Sequence, residues 1–317
     1  MTSVSHDRAK REAPLDAELL ERLADFVHRS RFTELGSVVT DLDGTAVHED
    51  QGKIVIPAEV ELGLERLVEL GRPLILNTLR FPLSVIQTFG QDWYGISNAP
   101  LPAVTLNGSL LGRILERSGE LIFDEIACFP MQAPEVERAL DSVEAFLDAG
   151  VREVLLFYYP CDWRMGELIW TPVAGKVDAV REKYVSASAV SAVAFKKLRA
   201  QLATQKLALI FVLLDVPQDH LMAYQHSQKS QFFTSEGIDK LSGAQAMARH
   251  LNIDLSRALG AGDTEMDRFL AGAGCAVIVG YADLPYRGRS HTLRVPDSLA
   301  FGELLREVAR LHERQPP

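Results

Sequence analysis

The feature that most constrains the fold is a strand, a helix and a second strand that follow one another within about 40 residues. Residues 38–40 and 73–77 are short apolar runs, and apolar residues recur at helical spacing between them. Pro57 suits the first position of that helix, and Gly71 suits its C-terminal cap. A strand-helix-strand unit of this length predicts two parallel strands, because a crossover helix connects parallel neighbours.

The alternation of strand and helix patterns recurs near the end of the chain, whereas the segment in between has a different pattern. Helical patterns are predicted at residues 15–30, 133–148, 173–203, 240–251 and 298–312, and further strands at 103–106, 153–159, 168–171, 207–216, 257–260 and 275–279. The sequence therefore predicts an α/β fold with a Rossmann-like core of parallel strands and an inserted α+β domain. The predicted boundaries are 37–112 and 231–317 for the core, 113–230 for the insertion, and 1–36 for an N-terminal extension carrying an amphipathic helix.

Composition excludes several classes of partner. The 317 residues suffice for two domains, and 47% hydrophobic with 24% charged residues is typical of a globular protein. A net charge of −10 argues against nucleic acid as a partner, and no apolar stretch reaches the ~18 residues of a membrane span. Residues 1–14 are polar and read as disordered rather than as a signal peptide. We therefore expect a cytoplasmic protein whose three scattered cysteines are reduced; its oligomeric state stays open.

Reactive side chains stand at the ends of separate predicted strands. Asp41 and Asp43 follow the first strand, Thr78 the second, and Asp263 a later one, while Lys240 begins a helix. In open α/β sheets, ligands bind beyond the carboxyl ends of the strands. Carboxylates, a hydroxyl and an ammonium group are therefore expected on one side of the sheet. Each residue alone is also explained as a solvated turn or a helix terminus, so the combination carries the prediction.

These motifs resemble those of the haloacid dehalogenase (HAD) superfamily. The chain has Asp41-Leu42-Asp43-Gly44-Thr45, then Thr78, then Lys240, and finally Gly262-Asp263 through Asp267, in the order of the four HAD motifs. The resemblance extends over residues 37–310. Segments 52–54 and 104–109 are similar to the Cof-like and sucrose-phosphatase-like branch, which has a large α/β cap. Only 13 residues separate Asp43 from Pro57, whereas 161 separate Thr78 from Lys240, so the cap is expected in the second gap.

The resemblance implies a phosphatase acting through an aspartyl-phosphate. Asp41 would be the nucleophile, and Asp43 the general acid and base. Mg²⁺ would be held by Asp41, Asp263 and the backbone carbonyl of Asp43. Lys240 would neutralise the phosphoryl oxygens and steady Asp41, and Thr78 would donate a hydrogen bond to those oxygens. The expected substrate is a sugar phosphate or a similar small phosphorylated metabolite.

Further residues are candidates with more ordinary alternatives. Asp267 would orient the lysine or a metal-bound water, although acids are also favoured at helix N-termini. Arg80, Asn107 and Arg164 are candidate substrate contacts. The alternatives are a surface salt bridge for Arg80, a turn for Asn107, and packing among neighbouring aromatic residues in the region of Arg164.

Two other functions remain open at this stage. A phosphomutase-like phosphotransferase would use the same Asp41 chemistry, and a metabolite-binding protein would keep the fold without turnover. Leu79 and Met266 depart from the residues usual in HAD relatives and keep the second alternative open, although none of the motif residues is missing. Dehalogenase chemistry is disfavoured because HAD dehalogenases lack the second aspartate, present here as Asp43.

Overall fold

The computed structural model describes residues 15–50, 53–97, 100–214 and 230–314, so the disorder predicted for residues 1–14 lies outside the described residues. The chain divides into two compact units. Unit 1 comprises Met1–Asp50, Ile54–Leu74 and Asn252–Pro317, and unit 2 comprises Gln51–Lys53 and Ile75–Leu251. No helix in the described ranges combines the length and the apolar character that crossing a bilayer requires.

The elements are numbered in chain order. The helices are α1 (Ala17–Arg29), α2 (Phe32–Leu35), α3 (Ala58–Glu69), α4 (Pro82–Ser97), α5 (Ala133–Asp148), α6 (Val177–Lys183), α7 (Phe195–Leu202), α8 (Lys240–Leu251) and α9 (Ser298–Arg314). The strands are β1 (Val38–Thr40), β2 (His48–Asp50), β3 (Lys53–Val55), β4 (Leu74–Asn77), β5 (Leu101–Thr105), β6 (Leu110–Arg117), β7 (Glu120–Cys128), β8 (Val154–Pro160), β9 (Glu167–Trp170), β10 (Ala187–Ser191), β11 (Leu207–Leu214), β12 (Ser230–Phe233), β13 (Leu259–Gly262), β14 (Cys275–Val279) and β15 (His291–Val295).

Unit 1 is built on parallel strands in the order β15-β14-β13-β1. The backbone N–H of Val38 donates to the carbonyl of Pro73 at 2.8 Å, which brings the start of β4 beside β1. Every residue of β1, β13 and β14 is buried, as expected for parallel strands covered on both faces. The predicted strand-helix-strand unit is therefore present, with its crossover helix at α3.

The N-terminal amphipathic helix is present as α1 and packs within unit 1. Asp16 caps it by accepting a hydrogen bond from the N–H of Leu19 at 2.7 Å. Its apolar face buries Leu23, Phe26 and Val27. Asp25 approaches His291 of β15 at 3.0 Å, so the helix is attached to the sheet by polar as well as apolar contacts.

Unit 2 continues from β4 with β5 in parallel, followed by β6 and β7 in antiparallel pairing. The large sheet has eight strands and is mainly parallel. The hairpin of β6 and β7 is missing from the sequence prediction. Its turn contains Ser118 and Gly119, both at positive φ. The α/β class with a mainly parallel sheet is confirmed.

A second sheet of unit 2 has five strands in the order β10-β9-β8-β11-β12. It pairs β10 with β9 in parallel and the other neighbours antiparallel, which gives the α+β character predicted for the insertion. Helices α5 and α7 contribute Val136, Leu140 and Leu198 to the apolar core of this sheet. The boundaries of the inserted domain at 113 and 230 stay a prediction.

The helix predicted over residues 173–203 is wrong. The structure divides this segment into a short 3₁₀ turn, α6, β10 and α7. Strand β10 pairs with β9, with Val190 opposite Ile169 and Ser191 opposite Trp170. Its sequence of small residues has no strong helix-ending signal. Pairing with a distant strand therefore determines its conformation, which a local periodicity cannot detect.

Candidate active site

The loop after β1 is a tight turn held by backbone hydrogen bonds. The N–H of Asp41 donates to the carbonyl of Ala261 at 3.0 Å, which fixes the strand end against β13. The carbonyl of Leu42 accepts from the N–H groups of the three residues at 45–47, at 3.2, 2.9 and 2.9 Å. Asp41 and Asp43 are consequently buried in a loop with little freedom to rearrange.

The loop after β13 is organised around a buried carboxylate. One oxygen of Asp267 accepts from the backbone N–H groups of Asp263 and Thr264, each at 2.9 Å, and from the Thr264 hydroxyl at 3.2 Å. A side chain at Gly262 would lie 2.6 Å from the Asp267 carboxyl carbon, so the close approach requires glycine. Asp267 therefore holds Asp263 in place through the backbone.

These two loops meet within unit 1. Carboxylate oxygens of Asp41, Asp263 and Asp267 lie within 4.8 Å of one another. The Thr45 hydroxyl donates to Asp263 at 3.0 Å. Gly44 has φ +76°, and a Cβ there would stand 2.3 Å from an Asp263 oxygen. The glycine of the first motif is thus required by both its backbone conformation and its neighbour.

The cluster formed by the carboxylates of Asp41, Asp263 and Asp267 suits a hard divalent cation. Three carboxylates that share a mostly buried region repel one another unless a cation neutralises them. Oxygen donors are the ligands that Mg²⁺ prefers. Since Asp267 already accepts three hydrogen bonds from its own loop, Asp41 and Asp263 are the better candidates for direct ligands.

Thr78 and Asn107 come together in unit 2. The Thr78 N–H donates to the carbonyl of Val104 at 2.9 Å, and its carbonyl accepts from the N–H of Asn107 at 3.4 Å. The Thr78 hydroxyl accepts from the N–H of Arg80 at 3.1 Å. Asn107 itself has positive φ, at 56°. The loop after β4 and the turn after β5 are therefore joined by hydrogen bonds into one buried region, despite the bulky Leu79.

Lys240 is fixed at the start of α8. Its side chain is only 1% exposed, and its carbonyl accepts from the Asn77 amide at 2.9 Å. Asp239 and Ser242 exchange hydrogen bonds at the N-terminus of the helix, each at 2.9 Å. Lysines are almost never fully buried unless they are paired, so a buried lysine here is unusual for a residue with only a packing role.

Two glycines explain how α8 approaches the turn after β5. A Cβ at Gly108 would lie 2.1 Å from the carbonyl oxygen of Asp239, and a Cβ at Gly243 would lie 2.6 Å from the Cα of Gly108. The sequence indicates a turn at Asn107-Gly108 but not this close approach to α8. The Gly three positions after Lys240 was the available signal, since interior helix glycines usually have a packing reason.

Arg80 lies in a buried polar group of unit 2. Its guanidinium donates to the Ser84 hydroxyl at 3.1 Å and stands over the Phe89 ring at 5.0 Å. Burial raises the pKa of the Glu167 carboxyl, against hydrogen bonds from Tyr159 and Ser186 and the positive charge of Arg80, which lower it. The surface salt bridge considered for Arg80 is wrong, because the side chain is buried.

Arg164 differs from the other candidates because it is exposed. Its guanidinium lies 3.6 Å from Asp162 and stacks on the ring of Trp163 at 4.8 Å. Exposed ion pairs of this kind contribute little to stability. Arg164 is therefore available at the surface of unit 2, apart from the buried group around Thr78.

Several solved protein structures have a fold similar to that of this chain. No family model and no curated protein matches this sequence. A HAD subclass IIB sugar phosphatase matches with a TM-score of 0.55 and 16% identity, over 82% of this chain and 93% of that one. A HAD-superfamily phosphatase from Bacteroides thetaiotaomicron matches with a TM-score of 0.59 and 14% identity, over 87% and 95%. The chain has the HAD fold.

A haloacid dehalogenase-like hydrolase from the same organism gives a similar result, with a TM-score of 0.58 and 16% identity over 88% of this chain and 99% of that one. Identities this low establish a common fold. The resemblance drawn from the motifs at residues 41–45 and 262–267 is confirmed at that level. The HAD fold also agrees with a mainly parallel sheet whose strand ends carry the motif residues.

Proposed function

We propose that the protein is a Mg²⁺-dependent phosphomonoester hydrolase that acts on a small phosphorylated metabolite, with a sugar phosphate as the expected class. The observation that carries the proposal is the approach of the carboxylate oxygens of Asp41, Asp263 and Asp267 to within 4.8 Å, in the loops after two adjacent parallel strands. The HAD phosphatases of similar fold support the reaction class by analogy.

The reaction proceeds in two displacements. A carboxylate oxygen of Asp41 attacks phosphorus, the P–O bond to the leaving group breaks, and Asp43 gives its proton to the departing oxygen. Asp43 then removes a proton from a water molecule, which attacks the same phosphorus and releases Asp41 and inorganic phosphate. Splitting the hydrolysis this way replaces one difficult step by two easier ones. Proton transfer by a positioned carboxyl contributes roughly 10²–10⁴-fold.

The cation would be held by Asp41, Asp263 and the backbone carbonyl of Asp43, and it would supply charge neutralisation for the attack of one anion on another. Asp267 positions Asp263 through the backbone hydrogen bonds of its loop. The contributions of Lys240 and Thr78 to the phosphoryl oxygens rest on their place in the motif order. Arg80, Asn107 and Arg164 remain proposed substrate contacts, and a cytoplasmic location remains part of the proposal.

Phosphate release from a panel of sugar phosphates and an aryl phosphate tests the proposal. We expect release with Mg²⁺, none with a chelator, and loss of at least a thousandfold in Asp41→Asn, because the nucleophile is absent. Asp283→Asn is the matched control, since Asp283 is an exposed acid of unit 1 outside the two loops. Equal activity of Asp41→Asn and the control would refute the assignment of Asp41 as the nucleophile.

Isotope labelling separates hydrolysis from phosphoryl transfer. In H₂¹⁸O, the second displacement places one labelled oxygen in the released phosphate. A phosphomutase-like reaction would instead move the phosphoryl group to a second sugar without label. Folded protein with Mg²⁺ that binds sugar phosphates but turns none of them over would favour the metabolite-binding alternative.

A further inference from the structure

Two cysteines distant in sequence meet in unit 2. The Sγ atoms of Cys128 and Cys161 lie 2.7 Å apart, and both thiols are partly exposed. Cys128 is the last residue of β7, and Cys161 directly follows β8. The third cysteine, Cys275, is buried in β14 of unit 1. The sequence offers no sign of this pair, because 33 positions separate its members.

The surrounding backbone holds both cysteines in place. The residue after Cys128 donates its N–H to the carbonyl of Ser109 at 2.8 Å, and Cys161 donates its N–H to the carbonyl of Lys206 at 2.9 Å. Cys128 therefore belongs to the edge of the large sheet, and Cys161 to the end of the five-stranded sheet. A bond between the sulfurs would join these two sheets at one point.

The two thiols differ in character. Cys128 donates its S–H to Cys161, which lowers the pKa of Cys161 and raises that of Cys128. The thiolate is the attacking species in disulfide exchange, so Cys161 is the nucleophile of the pair and Cys128 the second thiol. By contrast, burial raises the pKa of Cys275 to about 12, which makes it an internal reference for an unreactive thiol.

We propose that Cys128 and Cys161 form a reversible disulfide in response to small-molecule disulfides. The Cys161 thiolate attacks one sulfur of the oxidant R–S–S–R, forming a mixed disulfide and releasing R–S⁻. Cys128 loses its proton and attacks the Cys161 sulfur, forming the protein disulfide and releasing the second R–S⁻. The net change oxidises two protein thiols and reduces one R–S–S–R to two R–SH, with both protein protons carried by the products.

The test treats the full-length protein with glutathione disulfide and then alkylates the remaining thiols under denaturing conditions. Three cysteines are alkylated before oxidation, and we expect one afterwards. The intact mass before alkylation should fall by two hydrogens, and a peptide map should join Cys128 to Cys161. Dithiothreitol should restore all three thiols. This readout does not involve phosphate release, so it is independent of the proposed hydrolase function.

Single variants resolve the order of events. Cys128→Ser should stop at a glutathione adduct on Cys161, because the second thiol is absent. Cys161→Ser should react with glutathione disulfide far more slowly, and Cys275→Ala should behave as the wild type. A persistent glutathione adduct on wild-type Cys161, or three free thiols after oxidation, would overturn the proposal. Should Cys275→Ala fail to fold, the wild-type peptide map alone decides the outcome.

Discussion

Replacing Gly44 by alanine tests whether the glycine of the first motif is needed to place Asp263. Gly44 has φ +76°, and the added Cβ would stand 2.3 Å from an oxygen and 2.9 Å from the carboxyl carbon of Asp263. Gly71 also has φ +76° and lies in unit 1, but a Cβ there meets nothing within 4 Å. Comparing Gly44→Ala with Gly71→Ala therefore separates the effect of backbone strain from the effect of displacing the Asp263 carboxylate.

The expected magnitudes follow from these contacts. A left-handed conformation costs an L-residue about 1–2 kcal/mol, so both variants should lose that much stability. Only Gly44→Ala also requires the Asp263 carboxylate to move by about 1 Å to reach ordinary contact distance, a displacement at which catalytic groups lose about 10²-fold in rate. We therefore expect kcat/KM to fall about 100-fold in Gly44→Ala and to remain unchanged in Gly71→Ala.

The measurements are thermal unfolding of both variants and Mg²⁺-dependent phosphate release with the best substrate of the panel. Raised Mg²⁺ should partly restore Gly44→Ala, because the defect lies in a proposed metal ligand. If Gly44→Ala keeps full activity while losing the same stability as Gly71→Ala, Asp263 does not need its observed position and the reasoning fails. Equal loss of activity in both variants would also refute it, since strain alone would then explain the effect.

Three further predictions concern metal, backbone and pH. Mg²⁺ at 100 times its Kd should stabilise the protein by about 2.7 kcal/mol in thermal scans, and Asp263→Asn should remove this stabilisation. Gly108→Ala should lower the unfolding free energy by more than Gly119→Ala, because both have positive φ but only Gly108 faces a carbonyl oxygen at 2.1 Å. The raised pKa of buried Glu167 means that the folded state binds its proton more tightly, so the stabilisation is full below about pH 4.5 and lost as pH rises through the folded pKa. Urea unfolding should therefore show the advantage of wild type over Glu167→Gln shrinking with pH; an advantage that grows would contradict this.

The buried group around Glu167 adds a constraint on the proposed substrate contacts. Arg80 faces Phe89 and Ser84, and its charge also acts on Glu167. The cost of burying a guanidinium is offset by such neighbours, so its orientation is largely set before any ligand binds. A contact made by Arg80 would thus be preorganised, whereas Arg164 at the surface would lose side-chain freedom on binding.

Local features of this fold were predictable from the sequence alone. The period of 3.6 residues identified α1, α5 and α8 because one apolar face repeats along each helix. Asp41 could be placed at a strand end because buried strand and loop adjoin in the sequence. The order of Asp41, Thr78, Lys240 and Asp263 along the chain resembles that of the HAD motifs and so indicates the HAD fold.

Other features depended on contacts between distant segments. Strand β10 was assigned to a helix because only its pairing with β9 gives it extended structure. The Asp267 carboxylate accepts hydrogen bonds from Asp263 and Thr264 of its own loop, a contact that the sequence does not indicate. Its action on the lysine or a metal-bound water stays a prediction. The hairpin of β6 and β7 likewise forms on the edge of a sheet that the sequence does not display.

The periodicities, the strand-end residues and hence the class of fold are predictable from the sequence, since they depend on neighbours within one or two turns of chain. Which side chains come into contact depends on the folded chain as a whole. Packing between segments far apart in sequence brings the carboxylates of Asp41, Asp263 and Asp267 within 4.8 Å of one another. It also places Gly44 beside Asp263 and brings the sulfurs of Cys128 and Cys161 together. Such contacts are set by the global burial of apolar surface, which no local pattern encodes.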